Sequence, residues 1–158
     1  MKVYLDTNMF YYFFFDEPKY SAGVRKILEK VKKGGYSAYT SCFTLEEFAY
    51  VALLSLIENK YKQHPSDVLR KNRAVISEFA KQIQEMFAAI YSFNNIEITN
   101  SDKNQVWHIP QVMEENLLLP RDSIHLQTMK GLGIDYILST DSDFDGIKGI
   151  KRLNPEQI

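Results

Sequence analysis

One cysteine, Cys42, cannot close an internal disulfide, and no Asn-x-Ser/Thr sequon occurs, so a reducing cytoplasm is the expected compartment. Cys42 itself is expected in the core. The chain also lacks an uninterrupted apolar run of the ~18 residues that suggest a membrane span. The apolar N-terminus MKVYLDTNMFYYFFF is cut by Asp6, Thr7 and Asn8, which excludes a signal peptide core. A protein with no membrane contact is expected. His64, His108 and His125 show neither HExxH nor Cys/His spacing, so zinc is not expected and each reads as a surface or packing residue. Charge of one sign is missing as well: 19 basic residues face 20 acidic ones, a net charge of −1. That balance excludes a surface that grips nucleic acid over its whole extent, but not local basic patches around an acidic centre. Low-complexity and Gly/Ser-rich stretches are absent, and 158 residues with 45% hydrophobic content suit a single domain spanning 1–158.

What is present centres on Pro120 to Asp145, PRDSIHLQTMKGLGIDYILSTDSDFD. Pro120 suits a first helical turn, Ile124, Met129 and Leu132 recur at helical intervals, and Gly131 with Gly133 supplies a stop. The run Tyr136 to Thr140 then reads as a strand that delivers Asp141, Asp143 and Asp145 at its C-terminal end. Asp141 to Gly146 matches the first half of a calcium EF-hand loop. The second half fails, because Arg152 stands where a bidentate Glu is required and a strand precedes the loop.

Upstream, Lys2 to Asp6 is a short strand ending on an acid, followed by an aromatic run, Phe10 to Phe15, suited either to a partner surface or to a core anchor. A helix with Val24, Ile27, Leu28 and Val31 on one face ends at Gly34-Gly35. Tyr36 to Ser41 is a second strand. The next helix is expected to open on a capping box, with Thr44 as N-cap and Glu47 as its partner. One long helix is expected from Ser66 or Asp67 to about Tyr91, with Lys71, Arg73 and Lys81 as basic spots. Asn95 to Thr99 forms a third strand. Ser101 is expected to cap a helix reaching about Leu117 and interrupted at Pro110. Ile150 to Leu153 adds a short edge strand.

Strands alternating with helices predict an α/β protein, a parallel sheet of four to five strands with helices on both faces. In such sheets ligands bind beyond the C-terminal strand ends. Asp6, the acids after Thr44, Asp122 and Asp141 can therefore gather at one edge although they are distant in sequence. Carboxylates without His or Cys suit hard cations such as Mg²⁺ or Mn²⁺, which serve phosphodiester hydrolysis.

Four pieces, in this order, carry a resemblance: Leu5-Asp6-Thr7-Asn8, Thr40-Ser41 through Glu47, Pro120-Arg121-Asp122-Ser123-Ile124-His125, and Ile137 to Phe144. Together they resemble the PIN-domain nucleases, in particular the VapC-type toxins of toxin–antitoxin pairs. The resemblance implies a three-layer PIN-like fold and an Mg²⁺- or Mn²⁺-dependent ribonuclease. It also implies Asp6, Glu47, Asp122 and Asp141 as the catalytic acids, with Asp6, Asp122, Asp141 and the accessory Asp143 as metal ligands. Asn8, Thr140 and Arg121 would position substrate. Glu46 stands beside Glu47, so the choice between these two acids stays open. The implied partners are an RNA substrate, a cognate antitoxin and a second copy in a homodimer.

Overall fold

The computed structural model describes residues Met1–Ile158. Five strands, β1 (Lys2–Leu5), β2 (Ser37–Ser41), β3 (Ile96–Thr99), β4 (Tyr136–Leu138) and β5 (Lys151–Leu153), form one parallel sheet in the order β3-β2-β1-β4-β5. Between them run α1 (Thr7–Phe14), α2 (Ser21–Lys32), α3 (Cys42–Tyr61), α4 (Pro65–Lys71), α5 (Val75–Tyr91), α6 (Lys103–Trp107), α7 (Ile109–Asn116) and α8 (Pro120–Leu132). No helix is long and apolar enough to cross a membrane.

Helices cover both faces because the strands are apolar on both sides. Along β1 the pleat sends Val3 and Leu5 into a core shared with α1, α2, α3 and α5. Tyr4 points the other way, joining Ile137 of β4, Val112 of α7, and Leu126 and Met129 of α8. Each fully buried large side chain contributes about 1.5–3 kcal/mol, so the two cores hold the helices to the sheet without help from charge pairs.

Helix starts differ from the sequence reading in ways that matter for the site. α3 begins at Cys42, and Ser41 is its N-cap, accepting from the Thr44 amide at 3.2 Å. The Thr44–Glu47 capping box is therefore not made, and the Glu47 carboxylate is left for other partners. Cys42, the first residue of α3, is exposed rather than core. The long helix is two, α4 and α5, split where the Asn72 side chain accepts from the Ala74 amide at 3.0 Å. Asp102, not Ser101, caps α6, in a capping box with Gln105. The interruption near Pro110 falls at His108, which lets Pro110 sit in the first turn of α7, where a missing N–H is not needed.

The aromatic run turns inward. Phe10 is buried, and Phe13 and Phe14 pack on Phe93 and Phe48 with ring centroids 5.9 and 5.6 Å apart. Phe10 is a core anchor of α1, and Tyr12 to Phe15 pack against the same core while staying part exposed; Tyr11 is part exposed as well.

Candidate functional site

The strand order reverses between β1 and β4: β2 and β3 build outward on one side, β5 on the other. A cleft opens at such a switch point beyond the C-terminal strand ends. Asp6 directly follows β1 there, and Asp141 lies just beyond β4. Asp122 sits in the first turn of α8, with Pro120 in the opening position. Glu47 lies on the second turn of α3. A cleft of about 440 Å³ is lined by all four of these acids, with Thr7, Asn8 and Tyr11 beside them and Val51 and Leu54 forming an apolar wall.

Asp6 is buried, and both its oxygens are engaged. Oδ1 accepts from the Thr7 amide at 2.7 Å; Oδ2 accepts from Asn8 Nδ2 at 2.7 Å and Ser139 Oγ at 2.5 Å. Burial pushes its carboxyl upward, against the pull of His125 and these donors. Ser139 Oγ also accepts from Asn8 Nδ2 at 3.0 Å and from the Asp141 amide at 2.9 Å. One hydroxyl thus ties the ends of β1 and β4 together.

Burial would raise Glu47 as well, but hydrogen bonds from His125 and Thr7 win and hold its carboxyl below the ordinary range. Thr7 Oγ1 donates to Glu47 Oε2 at 2.7 Å, and His125 Nε2 lies 3.4 Å from the same oxygen. Glu46, one residue earlier, is exposed and ion-paired to Arg121 at 2.8 Å. Glu47 is the acid of the pair that faces the cleft.

Asp122 is pushed up to about 6 by burial first and then by the neighbouring Asp141. One carboxylate oxygen each from Asp122, Asp141 and Asp143 lies within 4.8 Å of the others, with Asp143 on the solvent side. Asp141 caps the 3-10 turn Ser142–Phe144, accepting from the Asp143 amide at 2.9 Å, and this turn brings the two acids side by side. Asp145 leaves the cluster and pairs with Arg152 at 2.6 Å. All donors are carboxylate oxygens, a set that suits a hard divalent cation.

Asn8 and Thr140 meet at the cleft, the Thr140 amide donating to Asn8 Oδ1 at 3.3 Å. Arg121 stands at the rim, part exposed. The sequence reading passed over three residues here. Thr7 and Ser139 read in the sequence as ordinary turn and strand residues, and His125 as a surface or packing residue. His125 is indeed 1% exposed, yet its ring reaches Glu47 on one side and Tyr4 on the other. Only its place in Ser-Ile-His, three residues after Asp122, signalled it.

Fold and cleft define an α/β protein with an all-carboxylate site at the switch point of a parallel sheet. Residues 3–150 match the family model described as PIN domain, and the chain belongs to that family. Among solved structures it is similar to VapBC2 from Rickettsia felis bound to a promoter DNA fragment, with a TM-score of 0.62, 16% identity and 98% of each chain covered. It is also similar to the sarcin–ricin loop cleaving toxin VapC20 of Mycobacterium tuberculosis, with a TM-score of 0.57 and 14% identity over 92% of this chain and 95% of that one. FitAcB from Neisseria gonorrhoeae gives a TM-score of 0.57 at 16% identity, with 99% of each chain covered. At these identities the likeness is one of fold. No curated protein matches the sequence.

Proposed function

We propose that this PIN-domain protein is a divalent-metal-dependent endoribonuclease that acts in the cytoplasm as the toxin of a toxin–antitoxin pair. The observation that carries this reading is the convergence of Asp6, Glu47, Asp122 and Asp141 on one cleft. Asp6, Asp122, Asp141 and Asp143 would hold Mg²⁺ or Mn²⁺, which when bound neutralises developing phosphate charge and makes a water more acidic. Glu47 stays ionised at neutral pH and is placed to take a proton from the attacking water. Asn8 and Ser139 keep Asp6 oriented, so Asn8 acts on substrate position through that acid.

Thr140 and Arg121 complete the substrate-positioning set. In the Arg121–Glu46 pair Glu46 is exposed and Arg121 part exposed, so an RNA phosphate can compete with Glu46 for the guanidinium. RNA as substrate and an antitoxin as partner are supported by relatives of the same fold, one described as a sarcin–ricin loop cleaving toxin and another, from Klebsiella pneumoniae, as a toxin–antitoxin complex. The apolar wall of Val51 and Leu54, with Tyr11 of the aromatic run beside it, is the seat offered to an antitoxin segment. Assembly as a homodimer belongs to the same proposal.

The test is cleavage of structured and single-stranded RNAs with Mg²⁺, Mn²⁺ or EDTA. Wild-type protein is expected to cut only with metal, and Asp6→Asn to lose cutting. Equal cleavage by the variant, or none under any metal, rejects the enzyme. Size measurement with and without the neighbouring gene product, when one encodes a small DNA-binding protein, tests the partners.

A further inference from the structure

We infer that His125 is a positioning residue for Glu47, and that its aim is set by a buried network of hydroxyls behind it; this rests on the nuclease reading of the cleft. Two donors converge on a single oxygen of Glu47: Thr7 Oγ1 at 2.7 Å and His125 Nε2 at 3.4 Å. No side chain donates to Oε1, which leaves that oxygen free for chemistry. With both donors in place the carboxylate cannot rotate freely about its last bond. With Thr7 alone it pivots.

The ring's orientation comes from its other nitrogen. His125 Nδ1 lies 3.0 Å from Tyr4 Oη and 3.5 Å from Thr44 Oγ1. Tyr4 Oη donates to Ser41 Oγ at 2.9 Å and lies 2.9 Å from Thr44 Oγ1. These groups are all buried, so each must find its partner inside the protein, and the ring cannot turn without leaving one unsatisfied. An ionised carboxylate only accepts, so Nε2 carries the proton that faces Glu47, while Nδ1 meets Thr44 Oγ1 and Tyr4 Oη, whose own proton goes to Ser41. The device joins four elements: β1 supplies Tyr4, β2 and α3 supply Ser41 and Thr44, and α8 supplies the histidine. Behind a single acid stands a cross-brace that ties α8 to β1, β2 and α3.

A packing histidine and a positioning histidine separate in a double-variant cycle. His125→Asn loses the Nε2 donor and is expected to lower kcat by about 10- to 100-fold, as loss of outer partners of a site does, with KM unchanged; because Nε2 also lies 3.9 Å from Asp6 Oδ1, Mn²⁺ affinity by calorimetry is expected to fall by much less than kcat. His125→Gln places a side-chain N–H near the lost Nε2 and is expected to recover most of that rate. Combined with Glu47→Gln, His125→Asn should slow cleavage no further than Glu47→Gln alone, because both act through one carboxylate. Losses that multiply, or a fall in Mn²⁺ affinity equal to the fall in kcat, overturn the inference and assign His125 to packing. A second readout needs no RNA. In protein labelled at its histidine ring nitrogens, the buried Nε2–H resonance is expected to move on Glu47→Gln and on Tyr4→Phe, and a resonance indifferent to both rejects the contact. Wild-type protein that cuts no RNA would sink the nuclease reading while leaving the resonance to decide the brace.

Discussion

Asp122 shows how a single carboxyl can work against the fold that holds it. Its proton is bound more tightly in the folded chain than in the unfolded one, with the pKa raised from 3.8 to about 6 by burial and by Asp141. As pH rises from about 4 through 6, the unfolded chain has already released this proton and the folded chain has not, so stability falls across that window. Half-exposure and the favourable charge position at the N-terminus of α8 reduce the loss to roughly 1 kcal/mol. Metal-free Asp122→Asn is therefore expected to match wild type near pH 4 and exceed it by about that amount at pH 7, while losing RNA cleavage. Denaturant melts at the two pH values check it; a variant weaker at pH 7 would mean that the charge serves the helix end. Asp6 and Asp141 are readable because carboxylates just past a strand end announce themselves by residue type, whereas Glu47 and Asp122 stand in the early turns of helices. Ser139, Thr7 and His125 are not readable by type, since a hydroxyl or an imidazole carries meaning only through what lies across from it, 131 to 133 residues away in the case of the Ser139 bonds to Asn8 and Asp6.

Elements were legible by period and blurred at their ends. The sequence pattern placed every strand and the helices α2, α3 and α8, because burying one face of an element is a local pattern, but it left α1 without a helix and ran α6 into α7. Starts depend on which of several adjacent polar residues wins the free amides. Ser41 took the role expected of Thr44, and that exchange released both Thr44 for the Tyr4 network and Glu47 for the cleft. The break at Asn72–Ala74 has no Pro or Gly to mark it, so one helix was expected where two form. A contact between elements that no pattern reveals is α2 on the C-terminal 3-10 turn Pro155–Gln157. A Cβ built at Gly23 would lie 1.9 Å from the Pro155 carbonyl oxygen and 2.7 Å from its carbon. Both atoms are backbone, so one of the two elements must move. Gly23→Ala should cost about 1–3 kcal/mol despite alanine's better helix propensity. A thermal melt decides the sign: a gain in Tm would show that the turn yields freely.

Across the whole molecule, charge is nearly balanced at −1, yet the acids are not spread evenly. Asp6, Glu47, Asp122, Asp141 and Asp143 meet at one end of the sheet, while many lysines lie on outer helix faces such as those of α2. Like charges crowded in a half-buried cleft repel more strongly than exposed charges screened by salt, so the metal-free fold carries a local strain that its overall charge hides. A divalent cation that binds the folded cleft and not the unfolded chain relieves the strain and shifts the folding equilibrium by mass action, about 2.7 kcal/mol at one hundred times its Kd. Millimolar Mg²⁺ is therefore expected to raise Tm, and NaCl at equal ionic strength to raise it far less, because screening reaches exposed pairs first. Asp141→Asn should remove most of the Mg²⁺ increment, since this residue joins Asp122 to Asp143, whereas Asp145→Asn should keep it, that acid being committed to Arg152. Equal rises with both salts would mean that the cleft answers to ionic strength alone, and the case for a bound ion would fall with them.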